Sequence, residues 1–127
     1  MPLSSLRVLV VDDHADSADA LAELLSLYGM AAQAVHDGTR AIALAETFAP
    51  DVVLLDLRMP GMDGYAVARA LRAMPLAQPY LVAYSALDDA RTLAQVRDAG
   101  FDCHLPKPSR IAAILRVVYA SASALAA

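Results

Sequence analysis

Lysine is almost missing from this chain. Nine of its ten basic residues are arginine, and Lys107 stands alone between Pro106 and Pro108. A compact, movable ammonium does a different job from a planar guanidinium, so a lone lysine in an arginine background is a candidate functional group. Cysteine is equally scarce. Cys103 is the single one, which excludes an internal disulfide, fits a reducing compartment and reads as a small buried hydrophobe. The longest apolar runs, such as Val8–Val11 and Leu81–Tyr84, stop far short of the roughly 18 residues that span a bilayer. Leu3–Val11 is followed by Asp12 and Asp13 where a leader would need small residues, so it lacks a signal-peptide layout. With 6% aromatics and a net charge of −4, the chain offers neither a basic surface nor a stacking platform. These absences predict a cytoplasmic protein that engages neither nucleic acid nor membrane.

The 127 residues are 58% apolar and 19% charged, which suits one folded domain over residues 1–127. Its core is expected at about 6–120, ahead of an Ala/Ser-rich end. Strands are predicted at Arg7–Val11, Ala31–Val35, Val52–Leu55, Tyr80–Tyr84 and Cys103–Leu105. Helices are predicted at Ala15–Tyr28 (Ala18, Leu21, Leu25 and Tyr28 inward), from Asp37-Gly38 to Phe48, and at Tyr65–Ala73 (Val67, Ala68 and Leu71 inward). Two more are predicted at Asp89–Ala99 and from Ser109 to about Ala122, the last with Ile111, Ile114, Leu115 and Val118 inward. Strands apolar on both faces must be covered on both sides, and this alternation implies a doubly wound α/β fold with a parallel sheet.

Ligands of such sheets sit beyond the carboxyl ends of the strands. There the chain places Asp12 and Asp13, then Asp56 through Pro60, then Ser85, then Lys107. Three carboxylates, a hydroxyl and an ammonium converge on one rim. Two carboxylates ~5 Å apart repel by about 3 kcal/mol at an effective dielectric near 20. Packing alone does not call for such a cluster, since capping the first helix would need one carboxylate. Lys107 supplies one counter-charge, and a hard divalent ion, Mg²⁺ or alternatively Mn²⁺, suits the remaining oxygens. Asp63-Gly64 reads as turn and cap, Asp88 and Asp89 as a helix start, and His14 and His36 as loop residues.

The segments Val10-Val11-Asp12-Asp13, Leu54 through Gly64, Tyr84-Ser85-Ala86 and Leu105-Pro106-Lys107-Pro108 together resemble the receiver domain of two-component response regulators. The resemblance spans about residues 6–120. Ala99 through Leu105 is also similar to receivers attached to hybrid histidine kinases. The resemblance implies a flavodoxin-like strand order 2-1-3-4-5 and a phosphoacceptor role for Asp56. It further implies Mg²⁺ held by Asp13, Asp56 and the backbone carbonyl of Arg58, with Asp12 acting through water. Lys107 and Ser85 would meet the phosphoryl oxygens. The implied partners are a histidine kinase or histidine phosphotransfer protein. A downstream partner or a second copy would meet the face of the fourth helix, fifth strand and fifth helix. The chain would then be a signalling phosphoacceptor rather than a conventional enzyme. It would be either a stand-alone regulator or the receiver of something larger.

Two positions depart from the family pattern. Ser85 stands where threonine is commoner, and His104 where many receivers carry Tyr or Phe; His104 is therefore a candidate switch residue. Arg58 and Leu87 offer nothing obvious to orient a hydrolytic water, which predicts a long-lived phosphoryl group. The outward face of the last helix, with Ala113, Val117, Tyr119 and Ala120, is apolar enough to suggest docking. The rival reading is a phosphorylation-independent interaction module on the same fold.

Overall fold

The computed structural model describes residues 6–126, with side chains described as far as Ala122. The elements alternate throughout: β1 (Arg7–Val11), α1 (Ala15–Leu27), β2 (Ala31–Val35), α2 (Gly38–Phe48), β3 (Val52–Leu55), α3 (Gly64–Ala73), β4 (Tyr80–Ser85), α4 (Ala90–Ala99), β5 (Cys103–Pro106) and α5 (Ile111–Ala126). All strand pairs are parallel, in the order β2-β1-β3-β4-β5. This is the doubly wound arrangement expected from the alternation of elements, in the flavodoxin-like strand order that the resemblance implies.

Period-two alternation divides the core into two layers. Leu9, Val11, Val53, Leu55, Leu81 and Ala83 face one way, against Ala41, Ala45 and Phe48 of α2, Val67 and Leu71 of α3, and Val96 of α4. Val8, Val10, Val52, Leu54, Val82 and Leu105 face the other, against Ala18 and Leu25 of α1 and Ile114 and Val118 of α5. Central strands β1 and β3 are buried on both faces, whereas the edge strand β2 is half exposed. That contrast explains why β3 and β1 beyond Arg7 are purely apolar and β2 carries Gln33.

Aspartates start three of the helices. Asp37, Asp63 and Asp89 each accept the backbone N–H three residues on, from Arg40, Ala66 and Thr92, at 2.8, 2.9 and 2.7 Å. Gly100, at φ 102°, ends α4.

Several expectations are corrected in detail. Tyr28 is 47% exposed, because the inward row of α1 runs through Ala18, Ala22 and Leu25 and the helix ends at Leu27, with Tyr28 as its C-cap. Helix α5 continues to Ala126. On its supposed outward face, Ala113 and Val117 are half-buried against the α1/α5 layer, and only Tyr119 and Ala120 are exposed. Cys103 is half-buried rather than buried, since β5 is an edge strand. Among the described residues, no helix is long and apolar enough to cross a membrane.

Candidate functional site

Parallel pairing sets the site. The ladder runs one residue past β1 and β3: Asp12 N–H donates to Val35 O at 3.2 Å and Asp56 N–H to Val11 O at 2.9 Å. The two aspartates therefore leave adjacent strands side by side. Both are buried, Asp12 at 4% and Asp56 at 8% exposure. Beyond β3 the chain must turn back over Asp56 to begin α3. It does so at Gly64, whose N–H donates to Leu57 O at 3.0 Å. A Cβ on Gly64 would lie 2.2 Å from the Asp56 carbonyl oxygen, so only glycine fits.

Lys107 closes the site from β5. Its N–H donates to Ser85 O at 3.1 Å, extending the β4–β5 pairing. Its Nζ lies 2.5 Å from Asp12 Oδ2, 3.6 Å from Asp56 Oδ2 and 5.2 Å from the centroid of the Tyr84 ring. Ser85 is buried, and its Oγ accepts the Leu87 N–H at 3.2 Å, which leaves the hydroxyl proton free for another acceptor. Arg58 is exposed, and its backbone N–H donates to Asp56 Oδ1 at 3.4 Å.

The electrostatics divide the two buried aspartates. Burial pushes the Asp56 carboxyl above its ordinary range; the Lys107 charge pulls it back in part, and the charge of Asp12 adds to the rise. For Asp12, burial also acts upwards, but the Lys107 hydrogen bond and the His14 backbone N–H outweigh it and hold the group low. Lys107 is raised: burial acts against its charge, and the Asp12 hydrogen bond with the Asp56 charge overcomes this. One ammonium is thus shared between two buried carboxylates, with Asp13 beside them. The donor set is rich in hard oxygens and short of positive charge, which fits a divalent cation such as Mg²⁺.

Ligand atoms of Asp12, Asp13 and His14 all lie within 4.8 Å of one another. His14, expected only as a loop residue, thus belongs to the cluster; its place directly after the acidic pair was the available signal. Tyr84 under Lys107 was also unforeseen, since its strand pattern reads simply as core. His104 pairs in register with Ala83 and is half-buried on the α3/α4 side of the sheet, opposite to Cys103 and Leu105. Its Nε2 is buried without a hydrogen-bond partner.

A doubly wound sheet with an acidic, lysine-balanced pocket at its carboxyl edge defines a class of small phosphate-handling signalling domains. The chain belongs to the response regulator receiver domain family, whose pattern it matches over residues 8–119. It is 37% identical over 111 residues to the response regulator MprA of Mycobacterium tuberculosis, covering 87% of this chain and 48% of that protein. The chain therefore spans about half the length of the curated relatives it matches. Among solved structures, it is similar to a response regulator receiver domain from Methylobacillus flagellatus (30% identity, TM-score 0.80, covering 92% of this chain and 98% of that one). It is similar also to the signal receiver domain of a signal transduction histidine kinase from Syntrophus aciditrophicus (27%, TM-score 0.84, covering 94% and 92%).

Proposed function

We propose that residues 6–120 act as one receiver unit that takes a phosphoryl group on Asp56 from a cognate histidine kinase or histidine phosphotransfer protein. The observation that carries this reading is the shared ammonium: Lys107 reaches both Asp12 and Asp56, and a further negative charge on Asp56 would draw it. In the transfer, an Asp56 oxygen attacks phosphorus, the phosphorus–nitrogen bond of the donor breaks, and the leaving imidazole keeps the electron pair and takes a proton. Asp13, Asp56 and the Arg58 carbonyl would hold Mg²⁺, or Mn²⁺, which supplies neutralising charge for the phosphoryl oxygens. Lys107 meets a second oxygen, and the free Ser85 hydroxyl proton is available to a third. Positioning and charge neutralisation suffice for this chemistry, so no general base is required.

Ser85 and His104 are the proposed switch pair, and the face of α4, β5 and α5 is the proposed meeting place for a downstream partner or a second copy. His104 is suited to move because its register partner on β4 is the small Ala83 and its Nε2 has no hydrogen bond to hold it.

Incubation with a small acyl phosphate and Mg²⁺ tests the reading by intact-mass spectrometry. The wild-type chain gains the mass of one phosphoryl group, and Asp56→Ala gains none. A wild type that stays unmodified would favour the phosphorylation-independent module instead.

A further inference from the structure

His14 is the N-cap of α1, yet its side chain makes no capping hydrogen bond, unlike the aspartates that start α2, α3 and α4. The imidazole is 77% exposed and is directed instead at the acidic pair. Its Nδ1 lies 3.5 Å from Asp12 Oδ1 and 3.7 Å from Asp13 Oδ1. Donors held at 2.0–2.2 Å around a tetrahedral ion are about 3.4 Å apart, so His14 Nδ1 and Asp13 Oδ1 need little adjustment to share one cation. The other two imidazoles are elsewhere: His36 is bonded to Asp19 at 2.8 Å, and His104 lies on the α3/α4 side of the sheet.

We propose that His14 Nδ1 is an added ligand of the divalent-cation site, widening its range from oxygen-preferring Mg²⁺ to the imidazole-preferring ions Co²⁺, Ni²⁺ and Zn²⁺. The proposal rests on the receiver reading given above for Asp13 and Asp56. Carboxylate and carbonyl oxygens alone suit Mg²⁺ and Mn²⁺; one neutral imidazole nitrogen shifts the preference along the first-row series. A second consequence is structural. The ion would tie the first turn of α1 to the pocket, because His14 caps that helix while Asp12 and Asp13 follow directly on β1.

Co²⁺ is the probe. Added to the full chain, it produces hyperfine-shifted imidazole ring resonances in the proton spectrum. These disappear in His14→Asn and His14→Gln and persist in His36→Asn. Asparagine is a good N-cap, so the first variant folds. Calorimetry shows Co²⁺ affinity falling about tenfold in His14→Asn while Mg²⁺ affinity changes less than about twofold. Co²⁺ bound without shifted imidazole signals, or with signals that survive His14→Asn, overturns the proposal and leaves the receiver reading standing. Failure of the wild-type chain to bind either Mg²⁺ or Co²⁺ overturns both.

Discussion

Asp12 and Asp56 sit side by side and are shifted in opposite directions, because Lys107 bonds directly to one and lies farther from the other. The consequences for stability also have opposite signs. A carboxyl held low contributes stability above its unfolded value and loses it as pH falls through the folded one; Asp12 is of this kind. A carboxyl pushed up binds its proton more tightly when folded, so Asp56 weakens the folded state once pH exceeds the unfolded value. Asp56→Asn should therefore raise the metal-free Tm near neutral pH. Thermal melts across pH should show that gain shrinking as the medium is acidified through the carboxylate range; a Tm that falls near neutrality would contradict the assignment. Gly64 gives the second residue-scale prediction. A methyl group 2.2 Å from the Asp56 carbonyl forces the loop away from β3, so Gly64→Ala should cost about 2–4 kcal/mol in urea denaturation. It should also slow phosphorylation, since the same loop carries the Arg58 carbonyl.

At the scale of elements, β5 is where burial and polarity conflict. An edge strand has one open side, yet His104 is turned to the α3/α4 face with Nε2 buried and unbonded. An unmet buried group costs about 1–3 kcal/mol, so His104→Leu should raise unfolding free energy by about 1 kcal/mol. If His104 also couples the pocket to α4, then His104→Ala should accept the phosphoryl group at an undiminished level. It should nevertheless lose the accompanying amide shifts along Ala90–Ala99. Shifts equal to wild type would remove His104 from the switch. Helix α5 packs in the opposite layer, with α1. Of the four residues expected to form its docking face, Ala113 and Val117 are half-buried and Tyr119 and Ala120 are exposed, a smaller patch than the helical pattern suggests.

For the whole molecule, the pocket joins ends of β1, β3 and β5, so an ion bound there exists only in the folded state. Mg²⁺ should raise the unfolding free energy by about 2.7 kcal/mol at a hundredfold excess over its Kd. Melts with and without the ion should show this rise in the wild type and its loss in Asp13→Asn.

Much of this was legible in the residues. Uninterrupted apolar runs such as Val52–Leu55 imply strands covered on both faces, and alternation with helical segments leaves little but a parallel, doubly wound sheet. That geometry sends every strand's carboxyl end to one edge, so Asp12, Asp13, Asp56, Ser85 and Lys107 could be grouped before any coordinates. Local pattern carries this information because each of those residues lies at the carboxyl end of a strand or within two residues after it. Distances and directions were not legible. Which carboxylate Lys107 bonds, that His14 faces the acidic pair, that Gly64 touches the Asp56 backbone and that Tyr28 escapes the core all depend on where distant segments meet. Periodicity specifies which face of an element is apolar, but only packing decides how far each element extends along the sheet and which charges come within reach of one another.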